Sequence, residues 1–125
     1  MIRMMLAATA AAVLTTAGPA AAVTPAKTKL TLIYMADAGY AAAVVLRCGP
    51  VGGGHPAGKK ACATLKKVGG RPERLKPPPD AMCTMEYAPI TAQITGTWKG
   101  KKLNWSRKFG NTCDMRRTTG VLFTF

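Results

Sequence analysis

Four cysteines, Cys48, Cys62, Cys83 and Cys113, constrain this 125-residue chain more than any other feature. A domain of this size buries a core with only a thin margin over chain entropy, so covalent staples count. Four cysteines read as two disulfides, with three possible pairings among which spacing alone does not choose. The competing use is a metal site. No two of these cysteines form a C-x-x-C pair and His55 is the only histidine, whereas zinc sites draw on close-spaced ligand pairs. No metal and no other cofactor is expected. Two disulfides also place the folded chain in an oxidising compartment.

The N-terminus offers a route there. Arg3 is followed by the uncharged stretch Met4 to Ala22, which ends in Ala20-Ala21-Ala22. An early cation, an apolar stretch and small residues are the three parts of a secretory signal peptide. Residues 1–22 are therefore expected to be a cleaved signal peptide, 23–29 a flexible lead-in, and 30–125 a single domain. As a membrane anchor the stretch is too rich in Ala and Thr and is interrupted by Gly18-Pro19. No other segment approaches the roughly 20 apolar residues of a span. A secreted, extracellular protein with no membrane span is expected.

The formal net charge is +13, from 18 basic and 5 acidic residues. Such a balance favours acidic partners. The cations are scattered, however, in runs no longer than two, such as Lys59-Lys60, Lys66-Lys67 and Arg116-Arg117, and few aromatics alternate with them. A nucleic-acid platform draws on aromatic stacking, so a soluble cationic surface and no specific nucleic acid are expected. One histidine, no paired carboxylates and no Ser/His/Asp spacing leave no assembled general base, which argues against an enzyme.

Along the chain, Leu30 to Met35 alternates as a strand does, Asp37-Ala38-Gly39 supplies a turn, and Ala42 to Cys48 runs back. Gly49-Pro50 stops that strand, and Gly52-Gly53-Gly54 is expected to be irregular. His55-Pro56 opens a helix whose Cys62, Leu65 and Val68 recur at helical spacing, with lysines outward and Gly69-Gly70 as terminator. His55 itself is expected at the surface near that helix start. Pro77-Pro78-Pro79 makes a stiff connector. Strands are expected over Ile90 to Thr97 and Leu103 to Phe109, then a long loop carrying Cys113, then a final β segment, Val121 to Phe125. Trp98 and Trp105 are expected in the core or at an interface. The class is α+β, a mainly antiparallel sheet with one substantial helix laid on it.

The landmarks fall in a telling order. Met82-Cys83-Thr84-Met85-Glu86-Tyr87-Ala88-Pro89 resembles the reactive-site segment of the Streptomyces subtilisin inhibitor family. Upstream lie Cys48-Gly49-Pro50, His55-Pro56 and Ala61-Cys62; downstream lie Gly96-Thr97-Trp98, Gly100-Lys101-Lys102, Asn111-Thr112-Cys113 and the terminal Val121 to Phe125. The resemblance covers almost everything from Leu30 onward. It implies a five-stranded antiparallel sheet with one main helix and a second short helix packed on one face, and the disulfides Cys48–Cys62 and Cys83–Cys113. It further implies a secreted inhibitor of serine proteases of the subtilisin or chymotrypsin type, a homodimer joined through sheet surfaces, and a reactive bond Met85–Glu86. Met82, Cys83, Thr84, Tyr87, Ala88 and Pro89 would form the rest of the protease-contacting loop.

The residues suit that task. A serine protease fills its specificity pocket with the side chain before the scissile bond and attacks that residue's carbonyl. An inhibitor offers the same shape held rigid, so little chain entropy is lost on docking. Cys83 lies two residues before Met85, Pro89 limits the backbone beyond it, and Met85 is unbranched and adaptable to an apolar pocket. Glu86 is either a solvated charge or a hydrogen-bonding partner within the loop, and Tyr87 either packs beneath the loop or meets the enzyme. A second class, a cationic extracellular binding module for cell wall, membrane or nucleic acid, rests on net charge alone.

Overall fold

The computed structural model describes residues 10–14 and 27–125. The expected signal peptide therefore falls outside the described residues except for 10–14, which are exposed and carry no regular structure. Among the described residues no helix is long and apolar enough to cross a membrane.

Five strands form one antiparallel sheet: β1 Thr28–Ala36, β2 Ala41–Cys48, β3 Gly52–Gly53, β4 Ile90–Trp98 and β5 Lys101–Phe109, in the spatial order β3-β2-β1-β4-β5. The register puts alternate residues on one face, with Leu32 opposite Val44 on one side and Ile94 on the other. Leu30, Leu32, Leu46, Ala92 and Ile94 are fully buried there. Two helices contribute to the same core: α1, Gly58–Lys67, through Ala61 and Leu65, and α2, Thr112–Thr119, through Met115. Lys59, Lys60, Lys66 and Lys67 of α1 face water, while Cys62 and Val68 sit half-buried against the core. Burial on one face of each element, not intrinsic propensity, holds these short helices in place.

Five expectations need correction. Strand β1 starts at Thr28, so the end of the supposed lead-in belongs to the sheet. The glycine run does not prevent pairing: Gly52 and Gly53 lie opposite Arg47 and Leu46 as the edge strand. Gly53, at φ 93°, lies so close to the Val45 backbone that a Cβ would overlap it, so glycine is what permits the approach. The loop expected around Cys113 is helix α2, and Val121 to Phe125 is not a strand. That tail folds in tight turns, with Thr124 donating to the Val121 carbonyl at 3.1 Å, and sinks Leu122 and Phe123 completely into the core.

His55, expected at the surface, is buried. Its Nδ1 accepts from the Ala57 amide at 3.0 Å, which leaves Nε2 to donate to the Leu122 carbonyl at 2.9 Å. The ring thus ties the start of α1 to the C-terminal tail. Tyr34 adds a second tie, donating to the Phe125 main-chain oxygen at 2.9 Å. Trp98 is buried and Trp105 half-buried, both against the core as expected.

Candidate functional site: the tethered loop at one end of the sheet

Both disulfides form: Cys48–Cys62, which ties β2 to α1, and Cys83–Cys113, each with Cα atoms 5.8 Å apart. The second fixes an otherwise irregular segment. Residues 81–89 belong to no strand or helix and pass over the end of the sheet where β1 finishes and β4 begins. Cys113 lies in the first turn of α2, so the bridge bolts this segment to a packed helix.

Hydrogen bonds complete the attachment. Asn111, immediately before α2, uses both ends of its amide. Its Oδ1 accepts from the Asp114 N–H at 2.8 Å and caps the helix. Its Nδ2 donates to the Thr84 carbonyl at 3.1 Å and to the Glu86 carbonyl at 2.8 Å. Beyond them the Ala88 amide donates to the Gly110 carbonyl at 2.8 Å, and the Asp37 amide donates to the Pro89 carbonyl at 3.0 Å. On the near side, Arg117 donates to the Ala81 carbonyl at 3.2 Å while its guanidinium is held by Asp114 Oδ1.

Between these tethers stands Met85, 99% exposed. Its two carbonyl neighbours are pinned by one side chain, yet no hydrogen bond among the described residues engages Met85's own N–H or C=O. Both groups are free for an incoming partner. Met82 and Tyr87 are also exposed, so Tyr87 does not pack beneath the loop. The Glu86 side chain is exposed and forms no ion pair among the described residues, which favours the solvated alternative. A cleft of about 260 Å³ lies between the loop and Asn111, Asp114 and Arg117, so the loop is an arch and not a surface lining.

The flanking β1–β2 turn contributes an exposed ion pair, Lys108 to Asp37 at 3.0 Å. The hydrogen bond and charge of Asp37 raise the Lys108 pKa above its ordinary value. Such exposed pairs contribute little to stability. Asn111, Asp114 and Arg117 were not among the expected loop residues. The signal for the first was present: Asn followed three residues on by an acid, with Gly120 as terminator, marks a capped helix. Among the described residues no cluster of side chains could hold a metal ion.

An irregular segment bolted by a disulfide to a helix, its apex residue wholly exposed and both neighbouring carbonyls braced from below, defines a protein that displays a rigid peptide to a partner. The comparisons agree. Residues 24–111 match the subtilisin inhibitor-like family. Subtilisin inhibitor-like protein 1 of Streptomyces cacaoi is 41% identical over 93 residues, covering 72% of this chain and 84% of that one. The subtilase-type protease inhibitor of Streptomyces coelicolor is 38% identical over 111 residues, covering 86% and 77%. Among solved structures, Streptomyces caespitosus sermetstatin, seen in complex with Bacillus licheniformis subtilisin, superposes with a TM-score of 0.63 at 25% identity, over 78% of this chain and all of that one. The chain belongs to the subtilisin inhibitor-like family of protease inhibitors.

Proposed function

We propose that this protein is a secreted inhibitor of subtilisin-like, and secondarily chymotrypsin-like, serine proteases, and that its reactive bond is Met85–Glu86. The observation that carries the assignment is the position of Met85: fully exposed, with its main chain unengaged, between two carbonyls held by Asn111. The Met85 side chain enters the apolar specificity pocket, and the protease's serine attacks the Met85 carbonyl carbon. Attack would release the Glu86 amine, but the tethers on both sides of the bond keep that amine beside the acyl group. Enforced proximity then favours resealing over hydrolysis. The inhibitor itself supplies no catalytic group.

The same reading includes a homodimer. The sheet face opposite the helices carries Ile33, Val45 and Met35 among threonines, and the helices leave it uncovered.

Titration of the processed protein against subtilisin, chymotrypsin and trypsin tests the proposal. Tight stoichiometric inhibition of subtilisin, weaker inhibition of chymotrypsin and little of trypsin are expected. Mass spectrometry after prolonged incubation should find a single cut between Met85 and Glu86. A cut elsewhere in 81–89 would reassign the bond, and sedimentation velocity reads the dimer separately.

A further inference from the structure

At the opposite end of the sheet from the loop lies a cleft of about 530 Å³, within the roughly 300–1,000 Å³ common for small-ligand sites. Strand β1 has nine residues, so at about 3.3 Å each its two ends lie about 26 Å apart. The cleft's walls are apolar: Val51, Ala63, Trp98 and the Cys48–Cys62 disulfide. Its rim is cationic, formed by Lys27, Lys66 and Lys99.

The local build keeps these features together. Gly70, at φ 72°, lies against the Trp98 indole so closely that a Cβ would overlap the ring, which fixes the indole as a wall. The Lys99 ammonium stands 5.9 Å from the centre of that ring. None of the three lysines is ion-paired among the described residues, and no carboxylate lines the cleft. Four of the chain's five acids, Asp37, Asp80, Glu86 and Asp114, belong instead to the loop end or its approach. At the loop end Asp37 and Asp114 are paired with Lys108 and Arg117, whereas the lysines at the cleft have no carboxylate partner among the described residues.

We infer that this cleft is a second binding site, for a small anionic amphiphile of the medium-chain carboxylate class. The hydrocarbon would lie against Trp98, Val51 and the disulfide, and the carboxylate would meet the lysine rim. An inorganic anion would leave the apolar walls unused, since burial of hydrocarbon against them is the larger favourable term. A polyanion would engage the lysines but not the interior. Because the site lies at the far end of the sheet, ligand and protease can be held together.

The test uses the disulfide-intact, processed protein and does not need a protease. Calorimetric titration with decanoate below its micelle concentration should show saturable one-to-one binding. Decanol, decyltrimethylammonium and inorganic phosphate should each bind at least tenfold more weakly. In Trp105→Phe, where Trp98 is the remaining indole, decanoate should shift the fluorescence with the same midpoint. Lys66→Glu with Lys99→Glu should weaken decanoate at least tenfold, and Ala63→Phe, at an exposed helix position, should fill the cleft and abolish binding. Circular dichroism and melting should stay at wild-type values in both. Absence of saturable decanoate binding, equal binding of decanol or phosphate, or indifference to the charge reversal and to Ala63→Phe in folded protein would each overturn the inference. Inhibition should remain within twofold of wild type with decanoate bound, which separates this site's fate from that of the loop.

Discussion

The side-chain nitrogen of Asn111 donates to the carbonyl of Glu86 at 2.8 Å, across 25 residues of chain. The same nitrogen reaches the Thr84 carbonyl, so a single amide spans the Met85–Glu86 bond from below. Its oxygen meanwhile caps α2. Presentation of the loop and capping of the helix's N-terminus therefore share one residue, and substitution can separate them.

Asn111→Asp retains the capping oxygen, and aspartate is as good an N-cap as asparagine. It loses the donor and turns a carboxylate toward two carbonyls. With each bond contributing about 1–1.5 kcal/mol, inhibition should weaken by roughly 30- to 150-fold, while helical circular dichroism and melting temperature change little. Equal losses in melting and inhibition would assign Asn111 to the helix alone. Inhibition constants measured beside thermal melts make the comparison.

The loop bridge and the sheet bridge should separate in the same way. Cys83–Cys113 closes a separation of 30 residues and in the chain-entropy model contributes about 3–4 kcal/mol. Its replacement by two serines also frees the residue two before Met85. The expected result is a change from inhibitor to substrate: cleavage becomes rapid and the products leave. Removing Cys48–Cys62, with a separation of 14, should cost about 3 kcal/mol yet preserve tight inhibition wherever the protein remains folded. Protease-resistance time courses on both double variants decide this.

The sequence made much of this visible, and the omissions have physical causes. Strands β1, β2, β4 and β5 and helix α1 were legible because each buries one face and exposes the other, which leaves a period in the residues. The apolar run Val121–Phe125 suggests a strand, but such a run reports burial, not pairing. Here Leu122 and Phe123 are buried by turns that fold over the sheet. The resemblance implies a second short helix, but the residues alone do not place it at Thr112–Thr119, which carries little helix-forming residue content and one fully buried apolar side chain, Met115. Its cap, not its pattern, was the readable part. The loop's sequence was recognisable, but its brace was not, since Asn111 lies 25 residues from Glu86.

The nature of the residue at 85 should set the target class. Met85→Lys leaves every tether in place, because no hydrogen bond among the described residues uses the Met85 main chain and its side chain is exposed. Inhibition should move from subtilisin- and chymotrypsin-like enzymes toward trypsin. Burying the methionine side chain is worth about 1.5–3 kcal/mol, so roughly a 10- to 150-fold loss against subtilisin is expected. An unchanged profile across the three enzymes would place the reactive bond elsewhere.

His55 gives the complementary case, a buried polar residue far from the loop in sequence whose removal should affect stability and not recognition. It accepts from Ala57 and donates to Leu122. His55→Ala leaves a half-buried amide and a buried carbonyl without partners, and a buried group so stranded costs about 1–3 kcal/mol. Chemical denaturation should therefore show a loss of about 2–5 kcal/mol. The loop's attachments to Asn111, Gly110 and Asp37 do not pass through this ring. Inhibition at low temperature, where the variant is folded, should stay within twofold of wild type. A parallel loss of inhibition under those conditions would mean that the C-terminal tail positions the loop, a role for which the hydrogen bonds provide no path.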